Sequence, residues 1–240
     1  MSISSALLNC VSHRPFPLPE KPWKYYQEWD DTLFLHYKVP VDEIQSLLPA
    51  GLLADVYEGQ AWVSIVAFTV KKMRLRYLPP LPYLSNFHEI NLRTYAVYNG
   101  IPGIYFFTVE TNKLPTAILA HLLTGIPYKK ALLKRKGNRY TLRKSSYGNR
   151  LAAKYLYLAD IKGKTGTDKW LTERYCAYQQ VNGSLYRYNI HHKEWPLKTM
   201  KLKRIKTNFV YNGLHITVQK AEIVHFAKNQ RVLLWGRTKC

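Results

Sequence analysis

Acidic side chains are scarce: the 240-residue chain carries fifteen Asp plus Glu against thirty-six Lys plus Arg, a formal net charge of +21. Such an excess attracts polyanions of any kind and bears on association and solubility, not on fold. Cysteine is scarcer still. Cys10, Cys176 and Cys240 are odd in number and show no metal-ligand spacing, which argues against a disulfide scaffold and a zinc site and suits a reducing, cytoplasmic setting. Long apolar runs are also missing: the best, Ala61–Phe68, falls far short of the roughly 18 residues a spanning helix requires, so no transmembrane segment is expected. The opening MSISSALLNC lacks a basic region and a long enough apolar stretch for a secretory signal. No Gly-x-Ser-x-Gly segment supports a serine triad, and Gly163-Lys164-Thr165-Gly166 lacks the order of a phosphate loop. No metal or cofactor is implied.

What remains is ordinary globular material, 47% hydrophobic and 21% charged. Residues 1–22, with Pro15, Pro17, Pro19 and Pro22, read as a flexible, extended arm, and residues 23–240 as one domain. Strands are expected over Thr32–Val39, Gly59–Val70, Phe87–Tyr98, Gly103–Glu110, Asn138–Lys144 and Leu151–Leu158, with Trp170–Tyr178 and Gly183–Ile190 as a further hairpin. Asp42–Leu48 reads as a short helix between breakers, and Lys113–Thr124 as a helix packed on the sheet. Asp160–Lys169 reads as a loop, and short pieces are expected over Thr199–Lys206, Gly213–Lys220 and Arg231–Trp235. The fold class is α+β and β-rich, dominated by antiparallel pairing.

Phe87–Tyr98 is the most instructive strand. Its two-residue period sets His88, Ile90, Leu92, Thr94 and Ala96 on one face and Glu89, Asn91, Arg93 and Tyr95 on the other. Four polar residues in a row on one face form either a hydrated outer surface or the wall of a lined cavity. Glu89 and Arg93 stand about 13 Å apart along the strand, so each would act separately: Arg93 to hold a carboxylate with its planar fork, Glu89 to move protons. His191 and His192 point to opposite faces and make a poor chelate, but Glu173 and His191 are placed to meet across the Trp170–Ile190 hairpin.

Three blocks in order, WDDTLFLHYKVPVDEIQSLLPAGLLADVYEGQAWVSIVAF, FHEINLRTYAVYNGIPGIYFFTVE and WLTERYCAY with GSLYRYNIHHKEWPL, make the chain resemble the YqjF-like family of uncharacterised proteins, related in fold to acetoacetate decarboxylase. The resemblance runs from about Trp29 to about Trp235. It implies an antiparallel, cone-like barrel or sandwich with a few short helices and a central small-molecule cavity. Decarboxylases of that fold use a Schiff-base lysine with a second lysine beside it, in a Pro-Lys-Lys stretch after a helix. Pro127-Tyr128-Lys129-Lys130 echoes this one residue out of step, a shift that on a strand reverses the side chain's direction. Such a lysine must be desolvated, since otherwise under about 0.1% of it is free amine at pH 7.

Two readings follow. In the first, a small carboxylate or carbonyl ligand binds in a cavity lined by Glu89, Asn91, Arg93, Tyr95 and His36, with His191 and Glu173 nearby and Lys129 or Lys130 as the reactive amine of a decarboxylase-like lyase. In the second, a non-enzymatic polyanion binder (for nucleic acid or an anionic surface) acts through the basic, tyrosine-interleaved stretch 129–154. Nothing in the pattern sets an oligomeric state.

Overall fold

The computed structural model describes residues 3–217 and 220–240. Helix α1 (Ile3–Leu8) precedes strand β1 (Tyr25–Val39), helix α2 (Val41–Leu47) and the two-residue β2 (Leu53–Ala54). Strands β3 (Ala61–Leu75), β4 (Phe87–Tyr98) and β5 (Ile101–Thr111) form a meander that ends in helix α3 (Leu114–Thr124). Then come β6 (Tyr128–Lys130), β7 (Leu132–Arg135), β8 (Arg139–Arg143), β9 (Arg150–Asp160), helix α4 (Gly166–Thr172), β10 (Cys176–Val181), β11 (Ser184–His191), β12 (Leu197–Tyr211), β13 (Leu214–Ile216) and β14 (Ile223–Lys239).

The order β1-β3-β4-β5-β10-β11-β14 closes on itself because β14 also pairs with β1, giving a seven-stranded barrel. Every contact in it is antiparallel except β5 with β10. That parallel pair approaches closely at Gly103, where a Cβ would fall 2.7 Å from the Cys176 sulfur. The start of β14 hands off to β12, and β12-β9-β8-β7 continue as a second sheet that packs on the outside of the barrel. Leu35, Ile65 and Leu92 of the barrel share one core with Leu133, Leu142 and Tyr155 of the outer sheet. Burial on both faces explains why β3 opens on the nearly continuous apolar run Ala61–Phe68, and β4 is as thoroughly buried although its alternate residues are polar. Asn99-Gly100, Asn182-Gly183 and Asn212-Gly213 all hold positive φ, the signature of type I′ hairpin turns.

The structure corrects four local expectations. The segment 3–22 is docked, not loose: His13 Nε2 bonds the His192 carbonyl at 2.8 Å, Arg14 donates to the Ile190 carbonyl at 2.8 Å, and Leu7 is buried. Residues 1–2 of the expected arm lie outside the described residues, as do residues 218–219 of the expected Gly213–Lys220 piece. Second, Trp170–Tyr178 is not one strand. Thr165 accepts from the Asp168 N–H while Asp168 accepts from the Thr165 N–H, and this capping box starts α4 where the aromatic pattern suggested strand and the Gly/Lys/Thr composition suggested loop. Third, the C-terminal third carries long strands, β12 and β14, in place of short pieces. Fourth, α3 buries only Thr116 and Ala117 and leaves its leucines largely in the open.

Candidate functional site

A cavity of about 530 Å³ occupies the barrel interior. β4 supplies its polar wall: Phe87, Glu89, Asn91 and Arg93 point inward, while Ile90, Leu92 and Ala96 pack against the outer sheet. Aromatic and aliphatic side chains make most of the remaining lining, among them Trp29, Phe34, Phe68, Phe106 and Trp195. The strand sets the depth. Phe87 adjoins the loop that frames the opening, and Arg93 lies six residues on, about 20 Å further in.

At the floor Arg93 is 8% exposed, its guanidinium carbon 5.7 Å from the Phe34 ring centroid and its Nε without a partner. Beside it Arg174 is held by α4: its Nε donates to the Trp170 carbonyl at 2.7 Å and one terminal nitrogen pairs with Asp55. The Arg174 guanidinium stacks on the rings of Trp170 and Tyr95, 4.4 and 4.9 Å from their centroids, and its other terminal nitrogen has no partner. Asn91 donates to Glu89 Oε1 at 3.2 Å, and its own carbonyl oxygen is unpaired. Glu89 also accepts from the Tyr128 hydroxyl at 3.0 Å, and burial pushes its carboxyl up to about 7.

Beneath the floor a continuous hydrogen-bonded chain crosses four strands and reaches α4. His225 Nε2 contacts Asp168 at 2.8 Å, His36 Nε2 lies 3.1 Å from His225 Nδ1, and Ser64 bridges His36 Nδ1 and the Tyr95 hydroxyl, each at 2.6 Å. An ionised Asp168 only accepts, which sets the tautomers: His225 donates to it through Nε2, His36 donates to the bare His225 Nδ1, and Ser64 donates to the bare His36 Nδ1. Burial lowers the pKa of both imidazoles, so both are neutral. With the Ser64 proton on His36, the single Tyr95 hydroxyl proton closes the chain, shared between the Ser64 oxygen at 2.6 Å and the Leu171 carbonyl at 2.9 Å.

The residues expected from the sequence thus separate. Glu89, Asn91 and Arg93 converge on the cavity, and Tyr95 and His36 lie under its floor as part of the hydrogen-bonded chain. His191 ties the N-terminal segment down, its Nε2 donating to the Leu7 carbonyl at 2.9 Å and its Nδ1 accepting from Arg14 at 3.2 Å. The Glu173–His191 pair does not form. Glu173 ends α4 and takes Lys164 at 2.5 Å, the Tyr175 hydroxyl at 2.6 Å and the Trp195 N–H at 3.0 Å. Lys129 and Lys130 are exposed and lie outside the lining. Tyr128 takes the inward position of β6, and Lys129 is turned out over the Tyr147 ring, 4.2 Å from its centroid. Among the described residues no lysine lines the cavity, so the one-residue offset leaves the Schiff-base expectation without support from the geometry. Arg174 and Tyr128 line the cavity without having been singled out, and so does His192, which the sequence marks only as half of a poor chelate. The capping box Thr165-x-x-Asp168 is the signal that locates Arg174, just past a helix end.

Comparison with known proteins gives the same architecture. The structure of the enduracididine biosynthesis enzyme MppR, complexed with the condensation product of pyruvate and imidazole 4-carboxaldehyde, superposes with a TM-score of 0.62 at 12% identity over 91% of this chain and 90% of that one. An acetoacetate decarboxylase-like enzyme from Sphingomonas wittichii RW1 gives 0.56 at 16% identity over 96% and 98%. Acetoacetate decarboxylase from Legionella pneumophila gives 0.56 at 14% over 98% and 95%. At such identities the likeness is one of fold. The uncharacterized protein YqjF of Bacillus subtilis (strain 168) is 35% identical over 230 residues, covering 92% of this chain and 95% of its relative. The model of DUF2071, described as an uncharacterized conserved protein, matches residues 26–231. The chain belongs to this YqjF-like DUF2071 family, built on the acetoacetate decarboxylase-like fold.

Proposed function

We propose that the protein binds a small molecule with an apolar body and a carboxylate head in its barrel cavity, the head on Arg93 and Arg174. One observation carries this reading: Asn91 Oδ1, Arg93 Nε and a terminal nitrogen of Arg174 are buried and lack partners, and all three residues line one largely apolar cavity. Buried polar groups are ordinarily paired, and an unpaired one costs about 1–3 kcal/mol. A carboxylate satisfies both guanidinium groups, and a hydroxyl substituent beside it donates to Asn91 Oδ1. Because Asp55 offsets only one arginine and Glu89 titrates near neutrality, the floor favours an anion. The reading is one of binding in a cytoplasmic, reducing setting, where the free thiols Cys10, Cys176 and Cys240 persist.

Calorimetry with a series of medium-length carboxylates against their methyl esters and amides is the test. Binding of the acids, with esters and amides weaker by about tenfold or more, is the expected result; equal affinity for all three overturns it. Borohydride treatment with β-keto acids should leave Lys129 and Lys130 unmodified.

A second reading, nucleic-acid binding, has one observation of its own. On the outer sheet Arg139, Lys154 and Arg204 stand in register across β8, β9 and β12, a row of exposed cations without ion pairs among the described residues. Affinity falling steeply with salt and lost with Lys154→Glu plus Arg204→Glu would support it; no binding at low salt removes it.

A further inference from the structure

The mouth of the cavity is an apolar surface. Five aliphatic side chains of α3 are exposed, Leu114, Ile118, Leu119, Leu122 and Leu123, and the facing loop exposes Tyr77 at 87%, Leu78, Leu81 at 59% and Tyr83. Leu78, Leu81, Leu119 and Leu123 also line the cavity, so the patch and the opening are continuous. A contiguous patch of this kind marks a surface with a partner.

Its charge says which partner. The stretch 70–88 contains no acidic residue, nor does 111–159, so both rim elements lack negative charge. Cations stand among the apolar side chains. Arg76 lies over Trp23 and Tyr77, 5.3 and 4.8 Å from the ring centroids; Arg74 lies over Tyr26 at 3.9 Å; Lys113 donates to the Tyr83 carbonyl at 2.6 Å. Beside the mouth a second groove is lined by Lys21, Trp23, Lys24, Leu75, Arg76 and Leu78. A second copy of this face would set these cations against each other on chains that each carry +21. Leucines and tyrosines ringed by Lys and Arg match the interface of an anionic bilayer, where apolar tips enter the acyl boundary and cations meet phosphate.

We propose that the cavity mouth docks on the surface of an anionic lipid membrane, with α3 and the 76–84 loop as the inserting elements. The docking stands whatever the cavity holds, because its readout needs no cavity ligand.

The experiment is sedimentation of the full chain with vesicles of phosphatidylcholine alone or with about 30% phosphatidylglycerol. The protein should pellet only with the anionic vesicles, and Leu81→Glu plus Leu122→Glu should weaken this by about tenfold or more. Both sites are exposed, at 59% and 73%, and unchanged circular dichroism confirms the fold. Lys154→Glu plus Arg204→Glu, on the outer sheet, should change it by less than about twofold. In the wild type, lipids brominated along the acyl chain should quench tryptophan emission. No pelleting with anionic vesicles overturns the proposal. So does loss of binding in the outer-sheet variant alone, or a dimer that the rim variant splits and that vesicles do not bind.

Discussion

The two ends of the barrel invert the usual arrangement of a globular protein. The floor is polar and sealed: Arg93, Arg174, Tyr95, His36 and Ser64 are each at most 8% exposed. The mouth is apolar and open, with Tyr77, Leu78, Leu81 and Leu122 all more than half exposed. Both ends are unfavourable in the isolated chain, one through desolvated charge and the other through exposed hydrocarbon. Sites that carry such terms are where function and stability diverge. The contrast teaches that a floor residue should be costly to the fold and needed for the ligand, whereas a mouth residue should matter to neither.

Glu89 should give the largest effect. Its folded carboxyl sits at about 7 against 4.5 in the ordinary state, because burial disfavours the charged form. Above that folded value the unfolded chain is ionised at no cost while the fold must bury the charge. The Glu89 contribution to stability is therefore most favourable below about pH 4.5, falls by about 1.4 kcal/mol per pH unit up to about pH 7 and then levels off, a loss of about 3 kcal/mol by pH 8. Glu89→Gln should raise the melting temperature at pH 8 and leave it nearly unchanged at pH 5. It should also flatten the affinity for an anionic ligand, which in the wild type improves from pH 8 to pH 6 as Glu89 takes up a proton. Melting curves and titrations at the three pH values check both.

Arg93→Met follows. It removes a guanidinium whose Nε is unpaired and whose pKa burial lowers, and puts a flexible apolar side chain against Phe34. Carboxylate affinity should fall by about 50-fold, the worth of charged hydrogen bonds in a dry site, while the melting temperature holds or rises. A large loss of stability with unchanged affinity would make Arg93 a structural ion. Ser64→Ala is smaller. It leaves the His36 Nδ1 and the Tyr95 hydroxyl one partner short, for about 1–2 kcal/mol in denaturant melts.

These contrasts also show what the sequence carries. The fold class and the meander β3-β4-β5 were legible because alternation and an Asn-Gly turn state them locally, and Phe87–Tyr98 matches β4 residue for residue. The alternation also placed Glu89, Asn91 and Arg93 on one face. It did not say which face looks inward, because the outer sheet buries Ile90 and Leu92 as thoroughly as the barrel buries the polar side. Arg174 and Tyr128 were illegible for another reason. Each reaches the cavity from a short element whose direction depends on tertiary contact, a helix end for Arg174 and a three-residue edge strand for Tyr128. The lysines misled by composition: Lys129 and Lys130 match a known chemistry in kind, and the strand turns them to water.

The mouth supplies the smallest effect and the sharper half of the comparison. Leu122 is 73% exposed, and its replacement by serine removes a side chain that the fold does not bury. Helix propensity changes by about half a kcal/mol and no cavity opens, so the melting temperature in buffer should shift by about two degrees or less. An ordinary α-helical leucine packed on a sheet would cost about 2–5 kcal/mol when truncated. A large drop in the melting temperature of Leu122→Ser would therefore show that α3 is covered in solution by something the isolated chain brings with it, such as a second copy. A small one leaves its leucine stripe bare, and the bareness then belongs to whatever the opening meets.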